Sequence, residues 1–323
     1  MTKKILIVLP TYNRSNYINN IIIQIRKQSY TNWILLIIDD GSSYMHCTQN
    51  KKIIQSYKYD SRIIFNCNIV NKNIATTLNK GIDFLLNNTI YDFDYFTWIS
   101  DDNTYNLNYL YELIKNNTYF KYASYNIKTN ANNITINSNN YTFNTLLNNF
   151  KGCGSYMWTK NAIKQIGYYN TDISYCEDYE FLIRTFKQSN NCVFFENSLM
   201  TYNYHKNCCT FLNKKKVEQM CNKVKLIFKY LFFTNNEYIL NNNYIYIYKS
   251  DSVFNNFYYS NQYKTLNFNN NKTKKCFIGN CNSPSIFNTD NVLLVPTYFN
   301  TCIYNACYIY NIKIILCTDN YFL

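Results

Sequence analysis

Glycine and proline are nearly missing, six and three in 323 residues, while Asn, Ile, Lys and Tyr abound. AT-only codons encode the abundant group, so composition partly reports the genome rather than the task. Charge is also scarce, at 16% of residues against a soluble-protein average of about 25%. With 47% of the chain hydrophobic, this excludes a disordered tail. The length allows a sizeable core, as one large domain with an appendage or as two domains. No apolar run reaches the ~18 residues of a membrane span, so any membrane contact would be peripheral. No cleavable leader pattern precedes "KILIVLP", and the 13 cysteines then read as reduced thiols of a cytoplasmic protein rather than a disulfide framework. None stands in a CxxC pair with zinc-like spacing, and the adjacent Cys208 and Cys209 have no spaced partners. Acidic residues are the scarcer sign, 19 against 32 basic, for a net charge of +13. Lysine codon bias accounts for that excess as readily as an anionic partner does, and in either case the field would gather anionic ligands.

What is present is an alternation. "KILIVLP" (4–10) reads as a buried strand, "YINNIIIQIRKQS" (17–29) as an amphipathic helix and "WILLIIDDGS" (33–42) as a second buried strand. After "RIIFNCNIV" come the helix "IATTLNKGIDFLL" and the run "YFTWISDDN". Continuous apolar strands alternating with helices predict a doubly wound α/β domain, a mostly parallel sheet covered on both faces. Ligands of such sheets bind outside the carboxyl ends of the strands. Those ends carry "PTYNR" (10–14), "DDGS" (39–42) and "SDDN" (100–103). Each acidic pair alone could be a turn or helix cap. Three such ends on one sheet edge point instead to a binding site. Adjacent carboxylates that stay ionised need positive charge, and a divalent cation, Mn²⁺ or Mg²⁺ bridging substrate phosphates, supplies it most directly.

These stretches, with "NKNIATTLNKGI" between them, fall in the order and spacing of the family 2 glycosyltransferases, which the chain resembles over about two-thirds of its length. The resemblance continues in "GCGSYMWTKNAIKQIGYYN" (152–170), "YCEDYEFLIR" (175–184) and "YNYHKNCCT" (202–210). It implies the GT-A fold, a nucleotide-sugar donor (UDP- or dTDP-linked) and a glycan, lipid-linked or protein acceptor. Carried over, Tyr12 would stack on the nucleobase and Asp40 would accept a hydrogen bond from it. Pro10, Thr11, Asn13, Arg14 and Asn79 would line the nucleotide, and Asp101 would approach the ribose. Asp102 would bind the metal, with His205 a metal or phosphate contact. Asp178 would be the catalytic base and Glu177 would place it, while Gly154, Ser155 and Trp158 would lie on the acceptor side. Direct attack by the acceptor hydroxyl implies inversion. For Asp178 the alternative is N-capping of the helix that follows, a role Asp fills often.

The chain departs from the family pattern at Asn73, where glycine is usual and where the backbone is expected in a left-handed conformation, and at Ser100, which precedes the acidic pair. Residues 1–212 are read as the catalytic domain and 213–323 as an extension. In the extension, "NKKKVEQMCNKVKLIFKYLF" (213–232) is an amphipathic helix that packs on the domain or lies on an anionic membrane. The segment 291–320 reads as strand, helix, strand, echoing the N-terminus; an end three residues after "TDN" suggests an interrupted second domain. Competing functions are a sugar nucleotidyltransferase, which wants a Gly- and basic-rich loop that "PTYNRSNY" lacks, and a degenerate nucleotide-binding module, against which the retained Asp102 and Asp178 argue. A nucleic-acid partner is not expected, because acidic strand ends repel a phosphate backbone.

Overall fold

In a computed structural model, the described residues are 3–129, 133–136, 141–150, 152, 154–206, 208–233, 293–296, 314–318 and 321–322. The chain divides into two compact units, Met1–Val217 and Glu218–Leu323.

The first unit opens with β1 (Ile5–Thr11), α1 (Ser15–Arg26), β2 (Trp33–Asp39), α2 (Tyr44–Gln55), β3 (Ile63–Cys67), α3 (Ile74–Asn87) and β4 (Tyr95–Trp98). β1 pairs in parallel with β2 on one side and β4 on the other, and β2 pairs in parallel with β3. This is the expected doubly wound core. β1 is apolar at every position from Ile5 to Leu9 because both faces are covered. Ile5, Ile7 and Leu9 join a core cluster with Ile18, Ile21, Ile22 and Ile25 of α1, whose i, i+3, i+4, i+7 spacing makes one apolar stripe. Each such buried isoleucine contributes roughly 1.5–3 kcal/mol. On the other face α3 approaches β1 at Gly81, where an added Cβ would lie 2.5 Å from Val8 Cγ2. Asn73 starts α3 at φ +76°, the positive value expected from its place in the motif, and its side chain accepts from the Thr76 amide.

Then follow β5 (Thr104–Tyr105), α4 (Tyr109–Ile114), β6 (Phe120–Lys128), β7 (Asn133–Ile136), α5 (Phe143–Asn149), β8 (Ser155–Thr159), α6 (Lys160–Ile166), α7 (Glu177–Gln188), β9 (Cys192–Asn203) and α8 (Cys209–Leu212). The sheet order is β3-β2-β1-β4-β8-β6-β9-β5, with β7 on β6. β8 runs antiparallel to both neighbours, so the sheet is mixed beyond β4. Thr159 caps α6 by accepting from the Ala162 amide, and Gly167 at φ +82° ends it.

α9 (Lys214–Phe233) is the helix expected at 213–232. In the second unit β10 (Leu293–Pro296) pairs in parallel with β11 (Ile314–Thr318), which pairs with β12 (Tyr321–Phe322). The two strands expected in the segment 291–320 are present, and the helix expected between them lies outside the described residues, as do "NNNYIYIYKSDS" (241–252) and "NFNNNKTKKCFIGN" (267–280), whose sequences read as loops and short strands. Among the described residues no helix is long and apolar enough to cross a membrane.

Candidate active site

Because β1 lies between β2 and β4, its C-terminal end meets both acidic motifs. Thr11 joins them: its carbonyl accepts from the Asp40 amide at 2.8 Å, and its hydroxyl donates to Asp101 Oδ2 at 2.8 Å. Asn13, at φ +55°, clasps the neighbouring loop, its amide donating to Ser42 Oγ and its side-chain oxygen accepting from the Ser43 amide, each at 2.8 Å. Pro10 remains within the β1–β2 pairing, opposite Ile38. Tyr12 is 46% exposed, which leaves a ring face open for a planar ligand. Asp40 is buried, and its Oδ1 accepts from Asn68 Nδ2 at 2.7 Å and the Lys72 amide at 3.1 Å. Among the described residues no hydrogen bond reaches Oδ2, which can take a further donor. Asn79 is used differently from its expected nucleotide role. Its amide nitrogen donates to the Tyr169 carbonyl at 2.9 Å and its oxygen accepts from the Tyr169 amide at 2.7 Å, so it ties α3 to the loop before α7.

The counter-charge that Asp101 and Asp102 require is supplied within the chain by Arg14. Its guanidinium donates to Asp101 Oδ1 at 3.2 Å and to Asp102 Oδ2. Sequence reasoning placed Arg14 on the nucleotide and did not foresee this pairing. Burial pushes the Asp101 carboxyl up to about 6 against the pull of Arg14 and Thr11. At Asp102 burial acts in the same direction, but Arg14, the Ser100 hydroxyl (2.7 Å) and His205 outweigh it and hold the carboxyl below its ordinary range. His205 Nε2 lies 3.4 Å from Asp102 Oδ2, with its ring against Tyr17. Asn203, at the end of β9, donates to the Asp102 carbonyl at 2.7 Å, which brings the 202–209 segment to this edge. An ionised carboxylate oxygen facing an imidazole nitrogen is a donor set suited to a divalent cation such as Mn²⁺. Asp102 and His205 would hold it, provided Arg14 released Oδ2.

Glu177 and Asp178 open α7 after Tyr175, which is at φ +71°. The N-cap is Cys176, so Asp178 lies inside the first turn, where its Oδ1 accepts from the Tyr179 amide at 2.7 Å. Burial raises the Asp178 carboxyl above its usual range even so. Burial and then the neighbouring Asp178 charge push Glu177 up to about 8, and its Oε2 is buried with no hydrogen-bond partner among the described residues. α7 is fixed by a pair that sequence reasoning missed, although its i, i+4 spacing was readable. Buried Arg184 donates to Glu180 Oε1 at 2.7 Å and Oε2 at 2.8 Å, and to the carbonyls of Ile166 and Tyr168. Burial and then the nearby Glu177 carboxyl raise the Cys209 thiol, and burial raises the Tyr202 hydroxyl, to which Asp102 adds, so Cys209 lies near Glu177 and Tyr202 near Asp102.

The acceptor-side residues fare less well. Trp158 is 1% exposed, packs on Phe96, Phe120 and Phe181, and donates its indole N–H to Thr185 Oγ1 at 3.0 Å. It is a core residue, and Ser155 is fully buried as well. Gly154, just before β8, passes close to Tyr125 and Met200: an added Cβ would lie 2.7 Å from Met200 Cε.

A mixed α/β sheet that gathers acidic strand ends beside a helix-opening carboxylate pair is the architecture of the GT-A fold. The model of the family described as "Glycosyl transferase family 2" matches residues 6–184, and the chain belongs to that family. Protein CgeD of Bacillus subtilis (strain 168) is 28% identical over 112 residues, 32% of this chain and 24% of that protein. Among solved structures, S. aureus TarS 1–349 in complex with UDP-GlcNAc is similar at TM-score 0.55 and 12% identity, over 69% of this chain and 66% of that one. The mannosyltransferase PcManGT from Pyrobaculum calidifontis, in complex with GDP-Man and Mn²⁺, is similar at TM-score 0.51 and 11% identity, over 69% and 62%. The chain thus spans about a quarter of the curated relative and about two-thirds of the TarS fragment.

Proposed function

We propose that the chain transfers a sugar from a UDP- or dTDP-linked donor to a hydroxyl of a glycan, lipid-linked or protein acceptor, with inversion at the anomeric carbon. The observation that carries this reading is the segment that follows β9: His205 Nε2 lies 3.4 Å from Asp102 Oδ2, and Cys209 lies within the electrostatic reach of Glu177. Donor and acceptor chemistry need those two functions on different loops of one rim. The base of the donor would lie on Tyr12 and donate to Asp40, with the ribose near Asp101. A divalent cation held by Asp102 and His205 would stabilise the charge that develops on the departing diphosphate. Arg14, displaced from Asp102, is a second cation within reach of that charge. Asp178 takes the proton from the acceptor hydroxyl as it attacks. A base must be ionised, and a protonated Glu177 spares Asp178 a second negative charge alongside it.

The experiment is transfer and donor hydrolysis with a set of nucleotide-sugars, with and without Mn²⁺, alongside thermal shift to report binding. Asp178→Asn is expected to keep the donor-induced shift and lose transfer by at least ~10²-fold. Asp102→Ala is expected to lose the metal-dependent part of the shift. Unchanged transfer in Asp178→Asn removes the base assignment. Nucleotide binding without turnover on any donor favours the degenerate module.

A further inference from the structure

On the far side of β2 from β1 lies a group of side chains that the proposed transfer does not use. Asp39 ends β2, Cys67 ends β3 directly opposite it in the parallel register, and Cys47 lies in the first turn of α2. One carboxylate oxygen and the two sulfurs all lie within 4.8 Å of one another, and the sulfurs are 3.6 Å apart. We propose that Asp39, Cys47 and Cys67 bind a thiophilic divalent cation of the zinc class.

Geometry supports this first. A tetrahedral zinc ion with Zn–S bonds of ~2.3 Å sets two sulfurs about 3.8 Å apart, within a few tenths of an ångström of the spacing found. The second support is Asp39 itself. It is fully buried and forms no ion pair among the described residues, an expensive condition for a carboxylate. Its Oδ1 accepts from the Ser42 amide at 2.9 Å and Oδ2 from Asn50 Nδ2 at 2.8 Å. Each oxygen keeps a lone pair, and the two donors fix the orientation of the carboxylate, as partners of metal-bound carboxylates do. Cys67 is exposed and Cys47 half-buried, so an ion can enter from solvent and water can fill a fourth position. A disulfide between the same sulfurs would account for their approach but would leave the Asp39 charge uncompensated. The ion would brace the end of β3 beside Asn68, whose side chain holds Asp40.

The test is titration of the full-length, reduced protein with Zn²⁺, and with Cd²⁺ as a spectroscopic probe of thiolate coordination. Expected are a thiolate-to-metal charge-transfer band and a raised melting temperature. Cys47→Ser and Cys67→Ser should each weaken that binding by roughly tenfold or more, with unchanged circular dichroism as the folding control. The band should persist in the Asp102→Ala, His205→Ala double variant, which separates this ion from the one expected on the donor. Cd²⁺ binding equally strong in both cysteine variants overturns the proposal. So does a reduced protein that takes up no ion but loses the two thiols together on mild oxidation, which would make the pair a disulfide.

Discussion

At the scale of single residues, the Glu177 carboxyl is the clearest source of a pH effect. Its folded pKa of about 8 lies above the ordinary value of 4.5, so the folded state binds more protons than the unfolded state between those two values. Stability contributed by the protonated form is complete below pH 4.5 and is lost as pH rises to about 8. Glu177→Gln keeps the shape and removes the titration, so its melting temperature should gain on the wild type between pH 5 and 8 and hold that lead above; parallel curves across this window would show that Glu177 titrates normally. Arg14 gives a second prediction. Arg14→Ala leaves the buried Asp101–Asp102 pair uncompensated, a loss of ~3 kcal/mol, and Mn²⁺ should then raise the melting temperature more in the variant than in the wild type. That the acidic motifs of β1, β2 and β4 would meet at one edge was legible because strand ends in an α/β sheet mark the binding edge; Asp178, in the first turn of α7, was singled out only by the family resemblance. The pairing of Arg14 was not legible, because its contact reaches across 87 residues of sequence to Asp101. The burial of Trp158 and the contact of Asn79 with the Tyr169 backbone were hidden for a related reason. "SYMWT" is buried along nearly its whole length, so no alternation shows which face meets ligand, and nothing near Asn79 indicates that both ends of its amide go to the Tyr169 backbone.

At the scale of elements, the strands easiest to read were those buried on both sides, β1 and β2, together with α1 and α3, whose apolar stripes face them. β5, two residues long, and β9, half-buried along much of its length with Glu196 exposed, carry too little pattern to announce themselves. The reversal of β8 is equally hidden, since strand direction leaves no mark on the period of side chains. Turns were more legible where backbone sterics choose the residue. Asn73 takes a positive φ in place of glycine, and Gly41 takes φ +72° directly after Asp40. At Gly41 an added Cβ would lie 2.3 Å from the Val70 carbonyl carbon, so the β2 end and the loop after β3 can meet only over a glycine. Gly41→Ala should therefore cost more than the ~1–2 kcal/mol of a left-handed L-residue and should weaken nucleotide binding as Asp40 shifts. A melting curve and a nucleotide titration check both; a loss in stability alone would mean that the position of Asp40 does not depend on this turn.

At the scale of the whole molecule, the chain carries a net charge of +13, while the strand ends of the site carry the acidic side chains Asp39, Asp40, Asp101 and Asp102. A nucleotide-sugar bears the two negative charges of its diphosphate, so the long-range field and the local carboxylates act on it in opposite directions. The field acts over a Debye length of about 30 Å at 0.01 M salt but only ~3 Å at 1 M. The contacts proposed to hold a bound donor, from Tyr12, Asp40 and the cations beside Asp102, would be short and partly sheltered, and so screened much less. If the basic surface gathers the donor, raising salt across that range should slow association and raise KM for the donor several-fold, while kcat at saturation stays nearly constant. Reversing the charge of surface lysines on α2, Lys51 and Lys52, should reproduce part of that rise at low salt and add nothing at high salt. A KM independent of ionic strength would mean that the lysine excess is compositional and that the donor is captured by the rim alone.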